Sequence, residues 1–317
     1  MNGGLTVLMT VYNGSPYLRT AIDSILEQTY CDFQFLIVDD ASTDDTREII
    51  RSYEDSRIQL LCLEQNVGQT VALNIGLRQA STQWIARMDA DDYSAPSRFE
   101  EQMRALDEDS SLACVGSFGW IFRDDPQAVE RIVTTPTDSH DIKQASLAEL
   151  ALIHGCIIVS KEALLDIGFY DERYRYCADV ELFDRLLAKY PTSNVPKLLV
   201  GARQHDSKGS SSRRALDENI DIITNRLLKY TNSPKEAAVV RASLSWVFLS
   251  RARSSVGVRA LLKVLPDVWR ALRASPKKFP WYSFKVFVIY NLPVQRRAMV
   301  RRFLVRFVPG FRQFWEA

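Results

Sequence analysis

Trp84-Ile85-Ala86-Arg87-Met88-Asp89-Ala90-Asp91-Asp92 is the stretch on which the fold turns. Trp84–Met88 reads as a buried-type strand, and it runs straight into three carboxylates within four residues. The segments upstream repeat that plan. Leu5–Val11 is a β-rich apolar run, closed by the turn residues Asn13-Gly14-Ser15-Pro16. Tyr17, Leu18, Ala21, Ile22, Ile25 and Leu26 then recur at helical spacing. Phe33–Val38 is a second strand ending in Asp39-Asp40, and Thr43-Asp44-Asp45-Thr46 offers capping side chains for a helix through about Tyr53. Ile58–Leu63 reads as a third strand, with a helix around Val71–Leu77. Repeated βα units of this kind predict an α/β fold, Rossmann-like, with a mostly parallel sheet and helices on both faces. Ligands of such sheets lie beyond the carboxyl ends of the strands, where Tyr12, Asp39/Asp40 and Asp89/Asp91/Asp92 all gather.

Three adjacent carboxylates repel one another unless a cation or a proton neutralises them. Hard divalent ions at nucleotide sites are held by one or two carboxylates plus phosphate oxygens, so Asp89, Asp91 and Asp92 read as a site for Mn²⁺ or Mg²⁺. The alternative is a solvated acidic turn capping a helix that begins near Pro96. Asp39-Asp40 is either a turn with an N-cap or a carboxylate that accepts from a base or ribose. Tyr12 either stacks on a base or packs in the core.

Beyond residue 113 the pattern mixes strands at Ala113–Phe118, Cys156–Ser160 and Lys197–Val200 with a helix near Asp179–Lys189. Residues 203–214 read as a loop, and the chain turns helical beyond Leu216. His154, among Leu152, Ile153 and Gly155, is a satisfied, partly buried histidine or an acceptor contact, and His205 is a ligand or a surface residue. Five scattered cysteines without metal spacing read as buried free thiols, which suits a reducing compartment. The N-terminal residues show no basic-then-apolar segment, and no apolar run of about 18 residues occurs, so a spanning helix is not expected.

The ordered set Thr10-Val11-Tyr12-Asn13, Val38-Asp39-Asp40-Ala41-Ser42-Thr43-Asp44, Asn66-Val67-Gly68 and Arg87-Met88-Asp89-Ala90-Asp91-Asp92 resembles the family 2 glycosyltransferases, which have the GT-A fold. Pro96-Ser97-Arg98 with Gln102, and Gly168-Phe169-Tyr170-Asp171-Glu172 through Asp179, Leu182 and Arg185-Leu186, continue the match, so that it spans roughly residues 4–210. The resemblance implies a base pocket of Thr10, Tyr12 and Asp40, with Tyr12 stacking and Asp40 taking a base N–H. It implies a ribose-side contact at Asp89, a metal ligand at Asp91 with His205 as a further metal or phosphate ligand, and a catalytic base at Asp179. Asp92 and His154 are acceptor-side or supporting candidates. An inverting transfer is implied, from a nucleotide-diphosphate sugar (a UDP-sugar by expectation) to a lipid-linked or glycan acceptor in surface polysaccharide assembly. The family's usual Glu-Asp at the base position is Ala178-Asp179 here. That departure motivates a rival reading, a catalytically silent scaffold, and an N-cap is the bland alternative for Asp179. The Gln-x-x-Arg-Trp signature of processive members is absent, so one sugar per binding event is expected. A nucleotidyltransferase would need a Gly-rich, Arg- and Lys-bearing loop after the first strand, which Asn13-Gly14-Ser15-Pro16 does not supply.

The division expected is a catalytic domain at 1–214 and a helical, basic and aromatic C-terminal region at 215–317. Net charge is +1 over the chain, yet residues 251–317 carry 15 Lys/Arg against Asp267 and Glu316. Arginines there interleave with Trp269, Phe303, Leu304 and Phe307, the composition of amphipathic helices that lie on anionic membranes. A helical subdomain packed on the acidic body is the alternative. Nucleic acid is not an expected partner, given the acidic remainder of the chain. The expected location is cytoplasmic, peripheral on the inner face of the membrane.

Overall fold

The structure is a computed structural model and describes residues 4–147, 151–205 and 213–229. The chain divides into two compact units between Ser210 and Ser211. In the first unit, β1 (Leu5–Val11), α1 (Leu18–Leu26), β2 (Phe33–Asp39), α2 (Thr46–Arg51), β3 (Ile58–Cys62), α3 (Gln69–Gln79) and β4 (Trp84–Asp89) follow one another as expected. All seven residues of β1 are buried, as is every residue of β2 except Gln34, so both faces of this part of the sheet are covered.

These four strands are parallel in the order β3-β2-β1-β4. The chain steps outward from β1 to β3 and then returns to the other side of β1. That reversal leaves a crevice at the carboxyl ends of β1 and β4. Register sets the site there: Thr10 pairs with Asp89, and Val11 with Asp39.

Past β4 the sheet is mixed rather than parallel. β5 (Tyr93–Ser94), α4 (Arg98–Glu108), β6 (Cys114–Phe122), β7 (Arg131–Val133), α5 (Ser139–Ser146), β8 (Ile158–Ser160), α6 (Lys161–Ile167), α7 (Ala178–Lys189) and β9 (Thr192–Arg203) complete the unit. β8 runs antiparallel to both β4 and β6, and β9 is parallel to β6 but antiparallel to β5. β9 extends well beyond the expected Lys197–Val200 and takes in Arg203, the first residue of the expected 203–214 loop. The expected strand at Cys156 begins only at Ile158, because His154–Cys156 forms a short 3₁₀ turn. The cysteines are free, but Cys31 is exposed and Cys62 half-buried, a correction to the expectation of buried thiols.

The β6–β9 pairing shifts register around Phe118. Gly119 lies at that shift, where a Cβ would sit 2.7 Å from the Val200 carbonyl oxygen. Backbone cannot step aside as a side-chain tip can. Gly119→Ala is therefore expected to cost about 1–3 kcal/mol by overpacking, read as a lower midpoint in chemical denaturation at unchanged slope.

In the second unit the described part is α8 (Arg213–Lys229). The basic and aromatic segment beyond it lies outside the described residues, and so do residues 206–212. No helix among the described residues is long and apolar enough to cross a membrane.

Candidate active site

The residues beyond β1 and β2 form one wall. Asn13 and Ala41 adopt left-handed backbone, with φ of 51° and 61°, so the two loops can fold against each other. The Ser42 hydroxyl accepts from the Asn13 N–H at 2.9 Å, and the Asn13 side-chain carbonyl accepts from the Thr43 N–H at 2.8 Å. Asp39 is fully buried beneath them, accepting from the Ser42 N–H and from Arg47 Nε at 2.5 Å. The capping reading of Asp39-Asp40 does not hold. Asp44 instead accepts from the Thr46 N–H that opens α2, and from Ser15 N–H.

Asp40 points the other way, into the cleft. Its Oδ1 accepts from Val67 N–H and its Oδ2 from Gly68 N–H, both at 2.8 Å. Gly68 holds φ at 89°, a backbone that favours glycine. Each carboxylate oxygen has a second lone pair with which to accept from a ligand. Tyr12 is 51% exposed at the cleft mouth, which removes the core-packing reading. Thr10 is buried on the floor, and its hydroxyl has no hydrogen-bond partner among the described residues.

The acidic turn lies opposite. Asp89, Asp91 and Asp92 each bring an oxygen within 4.8 Å of the others. α4 begins only at Arg98, with Ser97 at its N-cap position and β5 intervening, so the turn does not cap that helix. His205 Nε2 lies 2.8 Å from Asp91 Oδ2. In the tautomer with its proton on Nε2 this nitrogen donates to the carboxylate, and in the tautomer with its proton on Nδ1 it would offer its Nε2 lone pair to a metal. Carboxylate oxygens with one imidazole are a donor set that suits Mn²⁺, so the residues fit a divalent cation. Asp92 is 3% exposed and its Oδ1 accepts from the Arg203 N–H at 2.9 Å.

Gly155 explains how the turn packs so closely. A Cβ there would meet Asp89 Oδ2 at 3.2 Å, Asp92 Oδ2 at 3.3 Å and Arg87 Nη1 at 3.7 Å. Arg87 is buried and ion-paired with Asp89. Burial disfavours its charge, but the attraction of Asp89, Tyr170 and Asp92 outweighs burial and raises its pKa. Beneath it Arg98, fully buried, donates to the Arg87 carbonyl at 2.8 Å, and Gln102 donates to the Cys156 carbonyl at 2.7 Å. Burial pulls Arg98 down to about 10. These bonds fix the turn after β4 against the 3₁₀ turn that carries His154.

The third wall is the loop before α7. Asn74 on α3 exchanges hydrogen bonds with both the Tyr170 carbonyl (2.9 Å) and its N–H (3.0 Å), while Thr70 donates to the Tyr174 carbonyl at 2.8 Å. Two buried polar residues on one helix therefore hold the loop that leads into α7. Asp179 lies in the first turn of α7, with Cys177 at the N-cap, so it is not the cap. Burial raises the Asp179 pKa, partly opposed by the Val180 N–H and the Arg87 charge. His154 Nε2 is 2.7 Å from the Tyr170 hydroxyl, with the Phe183 ring beside it. Burial first, then Arg87, holds its pKa well below the usual value, so the ring is neutral at neutral pH.

All of these walls enclose a single cleft of about 670 Å³. It brings together Thr10, Tyr12, Asp40, Asp89, Asp91, His154, Asp179 and His205, whereas Asp92 does not line it. The sequence reading missed Tyr17, Asn66, Arg87, Tyr170 and Arg175 in the lining. Asn66 and Tyr170 lay within the quoted motifs without being given a role, and Arg87 left a signal as a charge inside an otherwise apolar strand.

This fold and this cleft define a GT-A glycosyltransferase. The match to the glycosyl transferase family 2 model runs over residues 6–168, just over half of the chain, and the chain belongs to that family. It is 28% identical over 233 residues to an uncharacterized glycosyltransferase of Rickettsia typhi, covering 71% of each chain. To the amylovoran biosynthesis glycosyltransferase AmsE of Erwinia amylovora it is 26% identical, over 62% of this chain and 75% of that one. Among solved structures, residues 1–349 of S. aureus TarS in complex with UDP-GlcNAc superpose with a TM-score of 0.64 at 17% identity, covering 90% of this chain and 83% of that one. The Pyrobaculum calidifontis mannosyltransferase PcManGT, in complex with GDP-Man and Mn²⁺, gives 0.59 at 17% identity, over 86% and 81%. At these identities the two structures speak for the fold alone.

Proposed function

We propose that the protein passes one sugar from a UDP-sugar to a glycan or lipid-linked acceptor, with inversion, in surface polysaccharide assembly. The observation that carries this reading is the placement of Asp179, its pKa raised by burial, in the same cleft as Asp40, Tyr12 and the acidic turn. Tyr12 stacks on the base while Asp40 accepts its N–H. Asp89 takes the ribose side, and Asp91 with His205 would hold a divalent ion. When bound, that ion would supply positive charge to offset the negative charge that grows on the leaving diphosphate. Asp179 takes the proton of the acceptor hydroxyl as its oxygen bonds to the anomeric carbon, and the nucleoside diphosphate departs from the opposite face. The protonated Asp179 returns its proton to solvent.

UDP-GlcNAc in TarS and Mn²⁺ in PcManGT support the donor class and the ion, and the amylovoran role of AmsE supports the pathway class. The test is a screen of nucleotide-sugars for Mn²⁺-dependent transfer or hydrolysis. Turnover with a UDP-sugar is the expected result. Mn²⁺-dependent UDP binding with no turnover of any donor would instead identify a silent scaffold, the reading that Ala178 motivates.

The basic and aromatic C-terminal composition supports a site at the inner face of the membrane, cytoplasmic and peripheral. A chain ending near Arg251, still folded by circular dichroism, is expected to lose sedimentation with phosphatidylserine-containing vesicles that the full chain shows. Equal sedimentation of both would remove this part of the proposal.

A further inference from the structure

The acidic turn and His205 are 114 residues apart in sequence, counted from Asp91, and one side chain bridges them. Arg203, the last residue of β9, is 5% exposed. Its backbone N–H donates to Asp92 Oδ1, and its Nε donates to the Asp91 carbonyl, both at 2.9 Å. Its Nη1 donates to the carbonyls of Arg123 at 2.7 Å and Asp124 at 3.0 Å. The guanidinium carbon lies 4.7 Å from the Tyr17 ring centroid and 4.6 Å from that of Phe122. The Tyr17 ring in turn lies 5.0 Å from the His205 ring.

We propose that Arg203 is the positioning residue of the metal site, bracing the turn at Asp91 against the end of β9 so that His205 meets Asp91. This rests on the metal reading of Asp91 and His205 given above. The planar fork matters as well as the charge. It binds the Asp91 carbonyl and the 123–124 carbonyls through different nitrogens, while the Tyr17 and Phe122 rings pack against it. A lysine has the charge without the fork or the faces. Asp92 thereby acquires a role that sequence could not assign: it anchors the backbone of Arg203.

The test uses the full chain. Free Mn²⁺ is followed by electron paramagnetic resonance during titration in the presence of UDP, and UDP affinity is measured separately without metal. Outer partners of metal ligands typically cost about 10–100-fold in metal affinity when removed. Arg203→Met is expected to weaken Mn²⁺ binding within that range and leave metal-free UDP affinity unchanged, and Arg203→Lys is expected to fail to restore it. In a His205→Ala background, Arg203→Met should add little further loss, because its effect passes through the histidine. Unchanged Mn²⁺ affinity in a folded Arg203→Met chain overturns the proposal. So do equal losses in the two backgrounds, or parallel losses of Mn²⁺ and metal-free UDP binding. If Arg203→Met does not fold, Phe122→Leu takes its place in the same cycle, since it removes a ring packed against the guanidinium and lies outside the cleft lining. A native chain that binds no Mn²⁺ with UDP sinks the metal reading itself, and that result is seen before any substitution is made.

Discussion

Asp179→Asn is expected to retain UDP binding and to lose about 10²–10⁴-fold in transfer, the range that a positioned general base contributes. The amide keeps the size of the carboxylate and cannot take the acceptor proton. Because burial raises the pKa of Asp179, the acid limb of kcat/KM is expected above the usual carboxylate range of about 4. Activity falls as pH drops through that value, since only the ionised form accepts the proton. The limb should vanish in the Asn variant.

The stability sign runs opposite to that of an ion-paired acid. A carboxylate whose folded pKa is raised favours the native state while protonated, and that contribution is lost as pH rises through the folded pKa. Asp179→Asn removes the loss, so the variant should be at least as heat-stable as the native chain at neutral pH. Lost activity then cannot be ascribed to unfolding. Turnover within tenfold of native would place the base elsewhere.

Asp91→Asn is expected to reduce nucleotide affinity in Mn²⁺ to its metal-free value. The amide oxygen still accepts from His205, so the local fold survives, but a hard cation loses its anionic ligand. The loss in metal affinity should exceed the about 10–100-fold typical of outer partners, measured by isothermal titration of UDP with and without Mn²⁺. Asp92→Asn should do less, because Asp92 works through the Arg203 N–H rather than the cleft. Nucleotide affinity that still rises with Mn²⁺ in Asp91→Asn would remove the metal assignment.

By itself the sequence determined the first four strands, their helices and the side of the sheet on which chemistry lies. Those elements are local: an apolar run of five to seven residues, a polar turn and a helical repeat announce themselves within short windows. It also determined the family, through motifs that each follow a strand end. What it could not separate was the role of one carboxylate from its neighbour's. Asp39 and Asp40 are adjacent in the chain, yet alternation along an extended backbone sends one under Arg47 and the other into the cleft. Asp91 and Asp92, in the turn between β4 and β5, also part, one toward His205 and one toward the backbone of Arg203. Nor was the mixed half of the sheet legible, since antiparallel pairing of β8 and the long reach of β9 depend on partners distant in sequence. The tertiary structure alone brought Asn74 to Tyr170, Arg98 to the Arg87 carbonyl and Arg203 to Asp91. In each case a buried polar group must find its hydrogen-bond partner, and only the folded chain says which one is within reach.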